Sequence, residues 1–497
     1  MTLKKNKLFC SLLIIFNSLN ANCQGSFEIL ISTPKDERIF DAAEGENGLY
    51  YLVGRKFSID PWEESSLFLA INNLGEIVHN WEYSLNDSLS YFGSIHYMND
   101  SIFIFGAKGT YTNGLQNILW MLVMDTEFNT ILNKSYDLSG YNLLDIETII
   151  NDNGNFVVTG VVSYPSELPD MLFYEISSSG DSINRSVLSY DSGQFEHDLI
   201  EVVSEGYKVF AYGSFPDAPQ TIGKIVTVDR SFNFISADSI PYSLYFNHSA
   251  KRLNDSSYLV TGNKGIIYND TVRTDIGIIK MTLSDEMLNG NHFGKYGDTI
   301  SYVGACSNLD FISQENIFFG GASNIFPSHL MYQPEDSWLL LNNIDSDLNT
   351  IWQRFYGGDA CYYLWGLKAT QDGGCLLLAT RYEEIIQDHE LDIYILKVDP
   401  SGLLTSTGEG PKIPVQQLAI VPNPAWDIVS VRYPDIFGFD EKEIEIFNSQ
   451  GWLVHEVHAT QNLSETRVDV SYLPAGLYFV VLKVEGKKVA TGKLIKI

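Results

Sequence analysis

A short apolar run that ends at or near glycine recurs along the middle of the chain, at intervals of about 50 residues. The runs read YYLVG, IFIFG, FVVTG, VFAYG, YLVTG, IFFGG and LLLAT, and they end at Gly54, Gly106, Gly160, Gly213, Gly262, Gly321 and Thr380. A second apolar run follows each one and is closed by Asn, Asp, Ser or Gly, as in SLFLAINNLGE and IYILKVDPSG. Apolar strands closed by polar turn residues predict β-hairpins.

Further strands flank each pair of runs, for example LDIETII before and EIVHNWEYS after. Each repeat therefore predicts four short strands, and the central ones are apolar enough to be buried on both faces. Four-stranded sheets repeated around an axis form a β-propeller. We predict an all-β fold with a propeller of about seven blades over residues 24–408. The seventh repeat ends weakly, and Ser26–Ser32 at the start of the chain is expected to supply its missing outer strand.

The pattern changes near the C-terminus. Gly, Pro, Ser and Thr dominate Ser406–Pro414, which indicates a linker, assigned to residues 409–416. Residues 417–497 alternate apolar and polar positions in short strands, and this pattern predicts a small Ig-like β-sandwich.

Four motifs follow one another in this C-terminal region. They are the Pro-Asn-Pro run VPNPAWD, the strand and turn IFNSQGWLV, the Gly-x-Tyr strand LPAGLYFVVL and the lysine-bearing end GKLIKI. Together they resemble the type A C-terminal sorting domain of the type IX secretion system. On these motifs the resemblance assigns the sorting signal to Pro422, Asn423, Pro424, Gly451, Gly476, Tyr478, Lys493 and Lys496.

The resemblance implies export through the type IX machinery, which is the expected partner of the domain. It also implies a Gram-negative bacterium, removal of the tail, and release of the body or its attachment to surface lipopolysaccharide. Within the tail, Tyr478 and Phe479 are expected in the core, while Lys483, Lys487, Lys488, Lys493 and Lys496 are expected outside. The repeats themselves loosely resemble those of bacterial secreted surface proteins, which suggests binding but no ligand.

The first residues predict a secretory signal peptide at 1–23. Lys4, Lys5 and Lys7 precede the apolar stretch Leu8–Phe16, and small residues follow at ANCQG. The apolar stretch is too short to span a bilayer. Cleavage after Cys23 is the favoured interpretation, and lipid attachment at Cys23 is the alternative.

The chain has 62 Asp and Glu against 32 Lys and Arg, for a formal net charge of -30. Such a surface repels nucleic acid and anionic membranes, so neither is an expected partner. A solvated secreted surface explains the charge most simply, and calcium loading or cationic partners are the alternatives. No cofactor is predicted, and calcium is the alternative.

Three cysteines remain after cleavage at Cys23, so at most one disulfide can form. Cys306 and Cys361 are the better pair because each opens the first strand of consecutive repeats; three buried thiols are the alternative. Asp345, Asp347 and Asn349 alternate like calcium ligands, but the glycine and glutamate of an EF-hand loop are missing, which favours a plain turn.

The sequence contains no recognisable catalytic motif, neither a nucleophile elbow nor a zinc-binding His-Glu-x-x-His. His197 and His248 lie on predicted inner strands and are expected to be structural. The leading hypothesis is a non-catalytic surface or secreted binding protein with a glycan or protein ligand. A carbohydrate-active or peptidase-like propeller and a structural matrix component are the alternatives. Asp-Ser/Thr-aliphatic triplets resemble O-glycosylation acceptors of exported proteins, at Ser88, Ser101, Ser182, Ser239, Thr271 and Thr299.

Overall fold

The structure is a computed structural model, and it describes residues 25–404 and 416–497 with short gaps. The gaps are 60–61, 85–87, 111–115, 139, 164–168, 190–193, 203–205, 216–217, 269–270, 295–299, 327–329, 384–389, 433–441, 449–452, 459–464 and 485–486. The predicted signal peptide and most of the predicted linker lie outside the described residues. No helix in the described part of the chain is long and apolar enough to cross a membrane.

Within the described residues, the region 27–398 forms seven consecutive antiparallel sheets. The first sheet contains β2 (Asp36–Glu44), β3 (Leu49–Ile59), β4 (Trp62–Asn72) and β5 (Ile77–Tyr83). The second contains β6 (Ser88–Met98), β7 (Ser101–Thr110), β8 (Gln116–Asp125) and β9 (Thr130–Tyr136). The third contains β10 (Asn142–Ile150), β11 (Phe156–Ser163), β12 (Asp170–Ile176) and β13 (Ser182–Leu188). The fourth contains β14 (Gln194–Val202), β15 (Gly206–Phe215), β16 (Ala218–Val228) and β17 (Phe234–Ser239). The fifth contains β18 (Leu244–Asn254), β19 (Ser257–Tyr268), β20 (Thr271–Thr282) and β21 (Met287–Phe293).

The sixth sheet departs from this plan because its first strand is split. It contains β22 (Ser301–Val303), β23 (Leu309–Ser313), β24 (Asn316–Ser323), β25 (Trp338–Ile344) and β26 (Thr350–Gly357). The seventh contains β27 (Cys361–Ala369), β28 (Cys375–Tyr382) and β29 (Asp392–Val398), with β1 (Phe27–Ile31) as its fourth strand. Phe27 pairs with Lys397 and Ile31 with Ile393, so the predicted closure by the N-terminal strand is confirmed. Two short 3-10 helices cover Pro241–Ser243 and Leu330–Tyr332.

The sheets are arranged in a closed cycle. The first strand of each sheet contacts the first strand of the next, from β2 through β6, β10, β14, β18, β23 and β27 back to β2. A separate apolar core lies between every two neighbouring sheets, including the seventh and the first. This is the arrangement of a β-propeller, in which the first strands surround a central channel.

The same turn follows the third strand of each repeat, and in the first six repeats it joins that strand to the fourth. A side-chain oxygen accepts the N–H of the residue four positions later, from Asn72, Asp125, Ser177, Asp229, Thr282, Asp345 and Asp399. The residue three positions after each acceptor has a positive φ, between 62° and 82°. A turn of this kind followed by a left-handed residue is a common hairpin connection. Three of these seven positions are glycine, and the other four are Phe128, Phe232, Asp285 and Leu348.

The C-terminal region forms two further sheets. Their strands are β30 (Gln416–Gln417), β31 (Ala419–Val421), β32 (Ile428–Arg432), β33 (Lys442–Asn448), β34 (Leu453–His458), β35 (Glu465–Asp469), β36 (Gly476–Val484) and β37 (Lys487–Lys496). The five-stranded sheet has the order β30-β37-β36-β33-β34, and the three-stranded sheet has the order β31-β32-β35. Alternate residues of both sheets, such as Val429, Ile444, Val480 and Leu494, form one buried core.

Candidate functional site

The first strands share an irregularity that places polar side chains near the channel. Six of them change register in mid-strand, and the residue after the change is Asp41, Ser94, Asp145, Asp198, Ser249 or Gly366. Such bulges redirect side chains. In five of these six strands an Asp or Ser therefore occupies an equivalent position.

Several of these side chains join neighbouring sheets. The Asp41 carboxylate accepts the N–H of Ile95 at 2.9 Å, and Asp198 accepts that of Ala250 at 2.9 Å. Asp310, two residues beyond the equivalent position in the sixth sheet, accepts the N–H of Ala369 at 2.9 Å. These carboxylates therefore have a structural role, because each one fixes the first strand of the following sheet.

Two lysines neutralise one of the carboxylates. Asp310 is paired with Lys251 of the fifth sheet and lies 3.7 Å from Lys368 of the seventh. Burial alone would raise the pKa of Asp310, but Lys368 and Lys251 lower it below its ordinary value. Asp310 in turn raises the pKa of Lys368. This triad of ions therefore holds three consecutive sheets together.

The remaining carboxylates are enclosed by protein yet reach solvent. Burial raises the pKa values of Asp41 and Asp145, and it raises that of Asp198 to about 7. Asp145 is nevertheless exposed, and Asp41 and Asp198 are half-buried. Groups that are surrounded by protein while still touching water line an internal cavity, so these three aspartates line the channel. Burial, and then Lys368, lowers the pKa of His96 beside them to about 3, which keeps this histidine neutral.

The raised pKa of Asp198 gives a testable pH dependence. Burial raises this pKa to about 7, whereas an aspartate in an unfolded chain titrates near about 3.9. Between these values the folded state retains a proton that the unfolded state has released, so the free energy of unfolding falls as the pH rises. We expect wild type to lose on the order of 1 kcal/mol per pH unit more than Asp198→Asn between about pH 4.5 and about pH 6.5.

Denaturant unfolding across this pH range measures the effect. Asp255→Asn is the matched control because the Asp255 side chain is fully exposed, and its profile should follow wild type. Parallel profiles for wild type and Asp198→Asn would contradict the assignment.

One segment extends across the channel wall in the sixth sheet. Gly304–Asn308 fills the break between β22 and β23, and Cys306 donates its N–H to the Trp365 carbonyl at 2.7 Å. Leu367 donates its N–H back to the Ser307 carbonyl at 2.8 Å. The Ser249 hydroxyl of the fifth sheet donates to the Cys306 carbonyl at 2.9 Å. The segment is therefore fixed to the sheets on both sides.

Aromatic rings and arginines meet at the end of the channel where the first strands begin. Arg38 donates to both oxygens of Asp36, at 3.0 and 3.2 Å. Its guanidinium lies 5.0 Å from the ring centres of both Phe57 and Trp365. Arg38 is thus held in a cation–π sandwich with its charge compensated.

Arg55 lies beside this sandwich but is less enclosed. It pairs with Glu64 at 3.1 Å and lies 5.7 Å from the ring centre of Phe40, which packs edge-on against Trp365 at 5.5 Å. Its side chain keeps 31% of its exposure, although its Nε–H is buried and has no hydrogen-bond partner within the described residues. Arg55 also opposes the rise in the pKa of Asp145 that burial causes. We call Arg38, Phe40, Arg55, Phe57 and Trp365 the mouth cluster.

The predicted disulfide is wrong, because Cys306 and Cys361 are not bonded to each other. Cys306 is hydrogen-bonded at the level of Trp365, four residues along β27 from Cys361. Four residues of strand span about 13 Å, whereas bridged cysteines have Cα atoms less than about 7 Å apart. Burial raises the pKa values of all three thiols, so they remain protonated.

The calcium candidate forms one of the seven equivalent turns. Asp345 accepts the N–H groups of Asp347 and Asn349 at 2.9 Å each, and it also accepts the Asn349 amide. Its carboxylate therefore caps the turn, as the favoured alternative predicts. Among the described residues, no group of three His, Cys, Asp or Glu side chains is placed to hold a metal.

The proposed O-glycosylation residues have different positions. Ser182 and Ser239 are exposed on the outermost strands β13 and β17, whereas Ser101 is half-buried at the start of β7. Ser88 and Thr271 begin strands, but their side chains, like those of His197 and His248, are outside the described part of the structure. Thr299 is not among the described residues, so modification at these sites stays a prediction.

The sorting motif converges on the last strand. The Asn423 side chain donates to the Lys493 carbonyl at 2.6 Å and accepts the N–H of Ile495 at 2.8 Å. The Tyr478 hydroxyl donates to the Pro474 carbonyl at 2.7 Å, near Gly476. Pro422 and Pro424 flank Asn423, and Gly451 lies outside the described residues.

Two expectations about the tail are wrong. Phe479 is 39% exposed because it alternates with the buried Tyr478 and Val480. Lys496 is only 8% exposed, since it lies beside the buried Ala425 through a strand bridge. Lys493 is exposed, as expected.

Sequence reasoning missed the channel aspartates and the mouth cluster. A usable signal was present, because the polar residues in IFDAAE, FGSIHY, LLDIET, EHDLIE and NHSAKR occupy the same position in successive repeats. The mouth cluster has no such signal, since it joins residues of three strands whose proximity depends on closure of the ring.

The chain is similar in structure to several solved proteins at low sequence identity. The BP39L lectin from Burkholderia pseudomallei has a TM-score of 0.46 at 8% identity, over 76% of this chain and 97% of the lectin. An ulvan lyase of polysaccharide lyase family PL25 has 0.45 at 11%, over 75% and 96%. The β-propeller domain of the Trilobed protease from Pyrococcus furiosus has 0.39 at 11%, over 76% and 100%. These scores assign no function, and no curated protein matches the chain significantly.

The C-terminal region has a clear family match. Residues 419–497 match the family model of the secretion system C-terminal sorting domain. This confirms the resemblance drawn from the Pro-Asn-Pro, Gly-x-Tyr and lysine motifs. A type IX sorting tail implies export to the cell surface or the medium. Residues 419–497 of this chain are therefore a secretion system C-terminal sorting domain, and they follow an all-β body of propeller type.

Proposed function

We propose that the chain is an exported ligand-binding protein whose body is a seven-bladed propeller and whose binding site is the mouth cluster. The observation that carries the proposal is the combination of half-buried aromatic faces with a partly exposed guanidinium at one end of the channel. Sites of this kind offer apolar surface together with a few directed polar groups. The type IX machinery is the partner of the sorting domain, and the mouth cluster serves a separate ligand.

The charges and rings of the cluster favour a glycan that carries a carboxylate or sulfate group. Asp36 accepts two hydrogen bonds from Arg38, whereas Arg55 pairs with Glu64 through one nitrogen and its side chain keeps 31% of its exposure. A guanidinium recognises planar or tetrahedral anions through paired hydrogen bonds. Phe40 and Phe57 beside it present half-buried rings that suit the apolar face of a sugar.

Binding to glycan arrays, followed by calorimetry with the purified full chain, tests this function. We expect at least a tenfold loss of affinity for the acidic glycan in Arg55→Gln, since a charge-assisted pair is worth about 1.5–3 kcal/mol. Arg252→Gln is the matched control, because Arg252 lies in the fifth sheet, pairs with the exposed Asp255 and is not part of the mouth cluster. Equal affinity of both variants for every bound glycan would exclude the mouth cluster as the site.

A carbohydrate-active enzyme is the second candidate. Its support is Asp145, a solvent-exposed carboxyl group whose pKa burial raises, as in a general acid. The carboxylates of Asp41 and Asp198 are instead hydrogen-bonded to backbone N–H groups of the neighbouring sheet. Their structural role favours a non-catalytic binding protein over an enzyme. Mass spectrometry of glycans after incubation decides between them: turnover that disappears in Asp145→Asn would establish the enzyme. Absence of both binding and turnover would favour the structural matrix component.

We also propose the division of the chain into a signal peptide at 1–23, a propeller at 24–408, a linker at 409–416 and an Ig-like sorting domain at 417–497. The chain would then cross the inner membrane by its signal peptide and reach the outer-membrane surface of a Gram-negative bacterium. A lipid-anchored Cys23, calcium binding and O-glycosylation remain alternatives or additions to this scheme.

A further inference from the structure

The sorting domain exposes a band of apolar side chains on the outer face of its five-stranded sheet. Leu477 is directly opposite Ile495, and Phe479 is opposite both Phe447 and Lys493. Residues opposite one another in neighbouring strands point to the same face of a sheet. The band contains Leu453, Leu477, Phe479, Ile495 and Ile497, which are 39–47% exposed. We call these residues, with Lys493, the apolar band.

The band extends towards the Pro-Asn-Pro motif. Ala425 bridges to Lys496 in parallel, and the next residue, Trp426, is 69% exposed. Segments that are separated by about 70 residues therefore supply one surface. Single exposed apolar residues are ordinary on protein surfaces, but a contiguous group of this kind marks an interaction site.

The backbone groups along the outer edge of the last strand, β37, are already hydrogen-bonded. A partner can therefore contact this strand only through its side chains. Leu418 donates its N–H to the Thr491 carbonyl, and Ala425 donates its own to the Ile495 carbonyl, both at 2.8 Å. Between these two bonds, the Asn423 side chain occupies the Lys493 carbonyl and the Ile495 N–H. A partner therefore cannot bind β37 by pairing a strand of its own with this edge.

We propose that the outer-membrane type IX secretion machinery docks on the apolar band, through an apolar surface with an acidic group opposite Lys493. This inference rests on the sorting role of residues 419–497. The sorting motifs support this partner over a second copy of the chain, because the Asn423 segment, the Gly476 strand and the last strand converge to build and support this one surface. Lys493 is the charged member of the apolar band and distinguishes the band from an entirely apolar surface.

Export from a host with a type IX system tests the proposal. The triple variant Leu477→Ser, Phe479→Ser, Ile495→Ser should accumulate in the periplasm, with at least a tenfold loss of extracellular protein. The conservative triple Leu477→Ile, Phe479→Leu, Ile495→Val should be exported like wild type, because it keeps the apolar surface. Lys493→Glu alone should reduce export, since it reverses the charge inside the band.

The matched control replaces three aliphatic residues of similar exposure on the propeller, Ile131→Ser, Ile183→Ser and Leu288→Ser, which are 59%, 50% and 55% exposed. This control should be exported normally, and protease resistance of each purified chain verifies folding. A folded serine triple that reaches the surface normally would overturn the docking site. If a chain without residues 419–497 is retained at the same time, the sorting role stands and only the docking surface fails. A wild-type dimer that the serine triple converts to a monomer would assign the band to self-association.

Discussion

Replacing Phe27 by alanine should lower the free energy of unfolding by about 3–5 kcal/mol, the usual cost of truncating a buried phenylalanine. Phe27 is 5% exposed and belongs to the core between the seventh and first sheets. It is the first residue of β1, the strand that joins the N-terminal segment to β29. The substitution therefore weakens the contact that closes the ring, in addition to leaving a cavity.

Denaturant unfolding of the purified chain measures this change through the midpoint of the transition. Ile183→Ala is the matched control, because Ile183 lies on the outermost strand β13 but is 50% exposed. The control should change the free energy of unfolding by less than about 0.5 kcal/mol. A similar small effect of Phe27→Ala would mean that the N-terminal strand does not contribute to the core of the ring.

Deletion of residues 419–497 should abolish arrival at the cell surface. The deleted region is the matched sorting domain, and its core is made entirely of its own strands. The seven cores of the body use only residues between 27 and 398, so the body should still fold. We expect the shortened protein in the periplasm, folded and absent from the surface and the medium.

Fractionation of cells and immunodetection measure the distribution. The control is a chain with the mouth substitution Arg55→Gln and an intact tail, which should be exported like wild type because its sorting domain is unchanged. Surface arrival of the shortened chain would show that the export signal lies elsewhere. Retention of the Arg55→Gln control would instead indicate that the body must be intact before export.

The sequence predicted the repeated sheets well because the signal is local and repeated. Each central strand is an apolar run between polar turns, and buried strands such as β12 and β29 have these compositions regardless of their neighbours. The closing strand was also predictable, since the seventh repeat ended weakly and the apolar run SFEILIS preceded the first repeat. The motifs of the sorting domain were recognisable for the same reason, as short patterns in fixed order.

The site was less predictable. Cys306 and Cys361 both precede inner strands, and only the hydrogen bond from Cys306 to Trp365 shows that they lie at different levels. Lys496 was expected outside, yet it shares the inner face of β37 with the buried Leu494 and is covered by the segment of Ala425, which bridges to it. In both cases the deciding contact joins residues that are far apart in the chain.

The sequence by itself determined the all-β class, the repeated hairpins, the closing strand and the export signal, because strand periodicity, turn chemistry and short motifs act over a few residues. Only the tertiary structure decided which side chains share the channel and which share the apolar band. Closure of the ring brings Asp41, Asp198 and Asp310 to the first strands of neighbouring sheets, and it places Trp365 against Arg38 and Phe40. Such contacts depend on strand register and on ring closure, and no local pattern of residues determines either of them.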